Sequence, residues 1–171
     1  MDSTTSREPL PARVPVRADA RFMRQRLSRL IAFGFGTGLS PVAPGTVGTL
    51  WAWLAFVVLD RWLDPAGWTL LIVAGLFVGA WACGKTGRDL DKPDHGAMVW
   101  DEIVAFWIVL LFVPGSFGAQ FGAFVAFRFF DIVKPPPIRY FDARLKNGFG
   151  VMFDDLLAAF YTLLFAALWY R

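Results

Sequence analysis

The chain has 171 residues, of which 56% are apolar, 17% aromatic and 18% charged, and its mean hydropathy is +0.48. Soluble domains carry about 25% charge and about 45–50% apolar residues, so this composition excludes an ordinary soluble domain and points to a membrane protein. A single cysteine, Cys83, excludes an internal disulfide framework and paired-cysteine metal or redox sites. The net charge of +3 is no nucleic-acid signature, because seven arginines outweigh three acids in the first 30 residues and the remainder is slightly acidic.

Residues 1 to about 20 hold Ser3, Thr4, Thr5, Pro9, Pro11 and Pro15 with little apolar periodicity, which predicts disorder. A helix is able to start within 21–30. Residues 1–29 therefore read as a basic, partly disordered cytoplasmic tail beside anionic lipid. The apolar run that follows is broken by Gly34, Gly36, Gly38, Pro41 and Pro44, unlike the compact core of a cleaved signal.

Four uncharged stretches come next: 30–59, 65–84, 103–127 and 156–170. Glycine content places the first helix at 47–63, and the second stretch is long enough to span a bilayer. Pro114-Gly115-Ser116 interrupts the third, leaving either one bent helix or two short helices in a hairpin. Basic residues prefer cytoplasmic loops. A hairpin puts fifteen of the seventeen Lys and Arg on one side, leaving Arg61 and Arg171 on the other, so the hairpin is predicted. Each half is short enough to dip into the bilayer without crossing. The predicted fold is all-α, a multi-helix integral membrane bundle with a Gly/Pro-rich loop and a short helical hairpin.

Five carboxylates stand at the predicted helix ends: Asp101 and Glu102, Asp131, and Asp154 and Asp155. Capping accounts for Asp101 and Asp154, since a helix N-terminus stabilises acids by about 0.3–1 kcal/mol. It does not account for Asp131 at the other end of its helix, nor for adjacent acids, which repel by about 4 kcal/mol at 4 Å and an effective dielectric of 20. A divalent cation removes that repulsion, and oxygen-only ligands select Mg²⁺ over zinc. Beside Asp131 and Asp142 stand the cations Arg128, Lys134 and Arg139, the last two flanking the stiff Pro135-Pro136-Pro137 run; the segment reads either as a phosphate clamp or as a juxtamembrane headgroup contact. The glycine-rich segment 34–49 reads either as a phosphate-approaching loop, with Thr37, Ser40 and Thr46 as further donors, or as a tight packing turn. It lacks the G-K-[ST] of a Walker A loop. Cysteine-nucleophile, D-x-D-x-[TV] and two-histidine phosphatase patterns are all missing, and His95 is the one histidine. Metal-assisted attack by water or by a carboxylate is the hydrolytic chemistry left.

Four blocks resemble the bacterial phosphatidylglycerophosphatase A family: GFGTGLSPVAPGTVGTL at 34–50, DHGAMVWDEIVAFW at 94–107, FRFFDIVKPPPIRYFD at 127–142 and NGFGVMFDDLLAAF at 147–160. They cover roughly residues 30–171, which the resemblance makes one membrane domain. Ala105, Pro136 and Asn147 depart from the family pattern, but none of them removes a carboxylate. The resemblance implies an all-α fold and Mg²⁺-dependent hydrolysis of phosphatidylglycerophosphate to phosphatidylglycerol and phosphate, at the cytoplasmic face of the bacterial inner membrane. It makes Asp101, Glu102, Asp131, Asp154 and Asp155 the catalytic acids, with Asp101, Glu102, Asp131 and Asp155 holding Mg²⁺ and Lys134 and Arg139 holding phosphate. Two other readings stand beside it. A CDP-alcohol-type phospholipid transferase lacks its D-G-x-x-A-R signature here, and a small membrane transporter or assembly factor would place its acids near mid-membrane.

Overall fold

The computed structural model describes residues 16–136, 138–140 and 148–169, and among these it contains helices and no strand. Two short helices, α1 (Ala20–Arg24) and α2 (Leu27–Ala32), precede a 3₁₀ segment (Gly34–Leu39) and the helices α3 (Pro44–Leu59), α4 (Pro65–Asp89), α5 (Trp100–Phe112), α6 (Phe117–Val133) and α7 (Gly148–Trp169). The all-α expectation holds. Most of the stretch expected to be disordered, residues 1–15, lies outside the described residues, as do 141–147. The end of the basic segment is helical, in α1 and the start of α2, and docked: α2 packs against α4, and the Arg29 guanidinium meets Asp89 at 2.9 Å.

Local sequence sets several helix starts. Pro65 follows Asp64, whose carboxylate accepts from the Gly67 amide at 2.7 Å, and Ser116 caps α6 by accepting from the Ala119 amide at 3.3 Å; both are N-cap arrangements. The break at 113–116 separates α5 from α6, so the hairpin forms as expected. Three boundaries differ from expectation. Helix α3 starts at Pro44 instead of Val47, because proline suits the first helical position and the glycines after it are tolerated for packing, and it ends at Leu59 instead of Leu63, because the chain turns there before Pro65 opens α4. Helix α7 starts at Gly148, eight residues before Leu156, so Asp154 and Asp155 lie two turns inside it instead of opening it.

Helix α5 is the centre of the bundle. It packs against α3, α4, α6 and α7, and nine of its thirteen residues are buried. Two indole N–H groups tie it to its neighbours: Trp100 donates to the Gly75 carbonyl of α4 at 2.9 Å, and Trp107 donates to the Ala52 carbonyl of α3 at 2.9 Å. Small residues set the closest approaches. A methyl group on Gly79 would meet Trp100 and Met152, and one on Gly45 would overlap the Glu102 carboxyl. Gly45→Ala is therefore expected to destabilise the bundle by about 1–3 kcal/mol through overpacking. Gly115→Ala, where an added methyl meets nothing within 4 Å, is expected to leave thermal unfolding of detergent-solubilised protein unchanged.

Helices α4 and α7 are long and apolar enough to cross a membrane. Their outer faces carry large apolar side chains, with Leu70 72% and Phe77 75% exposed on α4 and Leu168 66% exposed on α7. Apolar surface on this scale marks a membrane-associated protein. At about 1.5 Å per residue, α5 is only about 20 Å long and α6 about 26 Å, both short of a 30 Å hydrocarbon core.

Candidate active site

The hairpin brings the start of α5 beside the end of α6, and α7 begins at that same end. On α6, Arg128 and Asp131 share a face at i, i+3 spacing. Arg128 Nη1 lies 2.8 Å from Asp131 Oδ2 and 3.1 Å from Glu102 Oε1 in the first turn of α5. The same nitrogen reaches Thr49 Oγ1 of α3 at 3.4 Å. On α7, Val151, Asp155, Ala158, Thr162 and Ala166 are all buried, a helical core stripe in which Asp155 takes an interior position at 4% exposure. Carboxylate oxygens of Glu102, Asp131 and Asp155 lie within 4.8 Å of one another. Glu102 and Asp131 share one guanidinium, and Glu102 Oε2 is buried without a hydrogen-bond partner.

A buried carboxylate oxygen left unpaired costs on the order of 1–3 kcal/mol, and clustered like charges add to that. A hard divalent cation fits the arrangement. The donor set is all oxygen, one oxygen is unsatisfied, and ligands at 2.0–2.1 Å from Mg²⁺ lie at most about 4.2 Å apart, which small rotamer changes reach from 4.8 Å. The glycines of the 34–49 motif serve this centre through packing. Gly45 and Gly48 on α3 leave room for the Glu102 carboxyl, and the Thr49 hydroxyl donates to the Gly45 carbonyl at 2.8 Å.

The remaining predicted site residues surround this centre in different ways. Asp101 is 6% exposed and its Oδ1 accepts from the Glu102 amide at 3.0 Å; it feels the charges of Glu102 and Asp154 but is not one of the three clustered acids. Asp154, also 6% exposed, pairs with Lys134. Lys134 ends α6 in a left-handed conformation at φ 44°, which turns the chain into the proline run, and Tyr161 of α7 donates to the Pro136 carbonyl at 3.1 Å. Arg139 is exposed in the helical residues 138–140. Pro137 and Asp142 lie outside the described residues.

The hydroxyls Thr37 and Ser40 are turned to their own segment, donating to the Gly34 carbonyl at 2.9 Å and to the Val42 carbonyl at 2.8 Å. Thr46 is half-buried in the first turn of α3. His95 accepts from the Ala97 amide at 3.1 Å, and burial, then the neighbouring Lys92, holds its imidazole below the usual range. The sequence placed Arg128 among the cations beside Asp131 but gave it no partner on another helix. Its i, i+3 relation to Asp131 was visible, but its pairing with Glu102 depends on how two helices meet.

Comparison with known proteins places this arrangement. A profile of the phosphatidylglycerophosphatase A family matches residues 30–170. The chain is 46% identical over 136 residues to the phosphatidylglycerophosphatase A of Haemophilus influenzae, covering 79% of this chain and 83% of the relative. It is 39% identical over 149 residues to that of Escherichia coli K12, covering 85% and 86%. A Bacteroides thetaiotaomicron protein, provisionally named a phosphatidylinositol-3-phosphatase, is 41% identical over 145 residues, covering 81% and 90%. No solved structure matches. With four fifths of its length aligned to enzymes of this kind, the chain belongs to the phosphatidylglycerophosphatase A family and is a phosphatase.

Proposed function

We propose that the protein hydrolyses the terminal phosphomonoester of phosphatidylglycerophosphate with the help of Mg²⁺, as a multi-pass protein of the bacterial inner membrane whose site faces the cytoplasm. The observation that carries the reading is the convergence of Glu102, Asp131 and Asp155 around an unsatisfied Glu102 oxygen. Water adds to phosphorus, the bond from phosphorus to the glycerol oxygen breaks, and that oxygen leaves as an alcohol with a proton. Mg²⁺ held by the three carboxylates would neutralise charge on the phosphoryl oxygens and lower the pKa of a bound water. Arg128 holds Glu102 and Asp131 in place and adds a positive charge at the same point. Helix α3 starts without a side-chain cap, so its first-turn amides beside Glu102 suit an anionic oxygen. Asp154 orients Lys134, and Arg139 on the next turn supplies a second cation for the phosphate.

Phosphate release by purified protein in neutral detergent is the direct test, with phosphatidylglycerophosphate and phosphatidylinositol 3-phosphate compared, with Mg²⁺ and with a chelator. Turnover of the first lipid that stops on chelation is expected. Preference for the inositol lipid would transfer the reading to the activity named for the Bacteroides relative, and turnover undiminished by chelation would remove the metal. In the same micelles, where no anionic surface exists, Lys134→Ala and Arg139→Ala are each expected to lower kcat/KM by about 2–4 kcal/mol in transition-state terms. Undiminished turnover would make them contacts to lipid headgroups instead, whose strength is about 1 kcal/mol per residue at an anionic surface.

A further inference from the structure

Along the outer side of α6, Gly118, Gly122, Val125 and Phe129 recur at helical spacing and form one stripe. Two apolar cavities follow it. One, of about 290 Å³, lies between α6 and α7 over Gly118, Gly122, Thr162 and Ala166 and is walled by Phe165 and Trp169. The other, of about 450 Å³, continues from Gly122 and Phe165 to Phe129 and Phe130. Because the two share Gly122 and Phe165, they form one groove. It ends at Phe129 and Phe130 on α6, and its α7 wall, Thr162 and Ala166, continues the buried stripe that carries Asp155. The polar group in its floor is already satisfied, since the Thr162 hydroxyl donates to the Ala158 carbonyl at 2.8 Å.

The groove exists because both helices present small residues where they face each other, and the aromatic side chains stand at its edges instead of filling it. From Phe129 to Gly118 is eleven residue steps, about 16 Å at 1.5 Å per residue. That matches the depth of one leaflet, about 15 Å as half of a 30 Å hydrocarbon core. A groove of one leaflet's length, mostly apolar and sharing its α7 stripe with Asp155, has the shape and chemistry of an extended hydrocarbon chain whose headgroup sits at the acid centre.

We propose that the α6–α7 groove holds one acyl chain of the lipid substrate and that Gly118 and Gly122 set the chain length it admits. This rests on the lipid-phosphatase reading above and adds to it the element that positions the substrate's apolar part. The small residues at the far end matter most, because a side chain added there would occupy the space of the chain's terminal methylenes. A Cβ on Gly118 meets nothing within 4 Å, so a larger residue is accommodated there without strain.

The experiment compares kcat/KM for dipalmitoyl and dihexanoyl phosphatidylglycerophosphate in mixed micelles, for the unaltered protein, Gly118→Leu and Gly118→Phe. Leu70→Phe on the exposed face of α4 is the control. The long-to-short ratio is expected to fall about tenfold or more in the Gly118 variants, the scale at which a pocket reads a few methylenes, and to stay unchanged in the control. In a second arm, a phosphatidylglycerol with a diazirine at its chain terminus is photolysed with the protein. Labelling of residues 118–122 and 165–169, protected by excess unlabelled lipid of the same headgroup, is the expected result. An unchanged ratio together with labelling that excess lipid does not protect overturns the groove, even where hydrolysis proceeds normally. Protected labelling in a protein that hydrolyses neither lipid leaves the groove standing and removes the phosphatidylglycerophosphatase reading instead.

Discussion

Asp155→Asn is expected to reduce kcat/KM by a factor on the order of 10³ or more, about 4 kcal/mol of transition-state stabilisation, and to do so without loss of thermal stability. Glu102→Gln and Asp131→Asn should behave alike, because the three carboxylates form one donor set. The amide keeps the volume and shape of each side chain, so the interior stripe of α7 and the first turn of α5 remain packed. What disappears is one negative charge of a cluster of three that has a single guanidinium beside it. Without a cation, that removal relieves repulsion, and the unfolding temperature measured in chelator should hold or rise. With Mg²⁺ present, the unaltered protein should gain stability by mass action, about 2.7 kcal/mol at a hundredfold excess over its Kd, and the variants should gain less. A set of acids that weakens the apo fold but is needed for turnover is a functional set. Asp101→Asn provides the contrast. Its Oδ1 accepts from the Glu102 amide, which the Asn carbonyl can also do, so a smaller loss of about 1–2 kcal/mol is expected. A loss of stability in chelator with turnover retained, for any of the three clustered residues, would make that acid a structural group.

The sequence exposed this centre in part. The hairpin was legible because proline, glycine and serine fall together at 114–116 between two apolar runs, and charge asymmetry selected between a bend and a return. The acids were legible as charges where apolar helices were expected to end. Their setting was less so. The last helix was expected to open at Asp154 and Asp155, yet Gly148 is already helical, packed so closely on Gly84 of α4 that an added methyl would meet it. Tertiary packing overrides propensity there, and it carries Asp154 and Asp155 into the helix interior. Likewise the glycine-rich motif read either as a loop reaching for phosphate or as a tight packing turn. Two of its glycines sit on α3, where their lack of side chains makes space for Glu102. A motif read from composition identifies where a side chain cannot fit, but not which neighbour needs the room.

Arg128 carries the last expectation, because one guanidinium joins two helices that are adjacent only in the folded bundle. Its Nη1 meets Asp131 at 2.8 Å and Glu102 at 3.1 Å, and all three side chains are at most 14% exposed. Removing one member of a buried ion pair leaves an uncompensated charge and costs about 3–5 kcal/mol. Arg128→Met fills a similar volume but leaves Glu102 and Asp131 facing each other and Asp155 with no cation between them. In chelator this variant should be destabilised by that amount, and Arg128→Lys should recover most of it, since a single ammonium group is able to serve both acids. Mg²⁺ should then act as the replacement charge. The stability gained on adding it should be larger in Arg128→Met than in the unaltered protein, because the site has lost a competing positive charge. Glu102→Gln combined with Arg128→Met should be less destabilised in chelator than Arg128→Met alone, since one of the facing carboxylates is gone, and the interaction between the two changes is measurable as a double-mutant cycle. A cycle that shows no coupling, with equal Mg²⁺ gains in both proteins, would mean that Arg128 stabilises the bundle by packing alone and that the cation binds elsewhere.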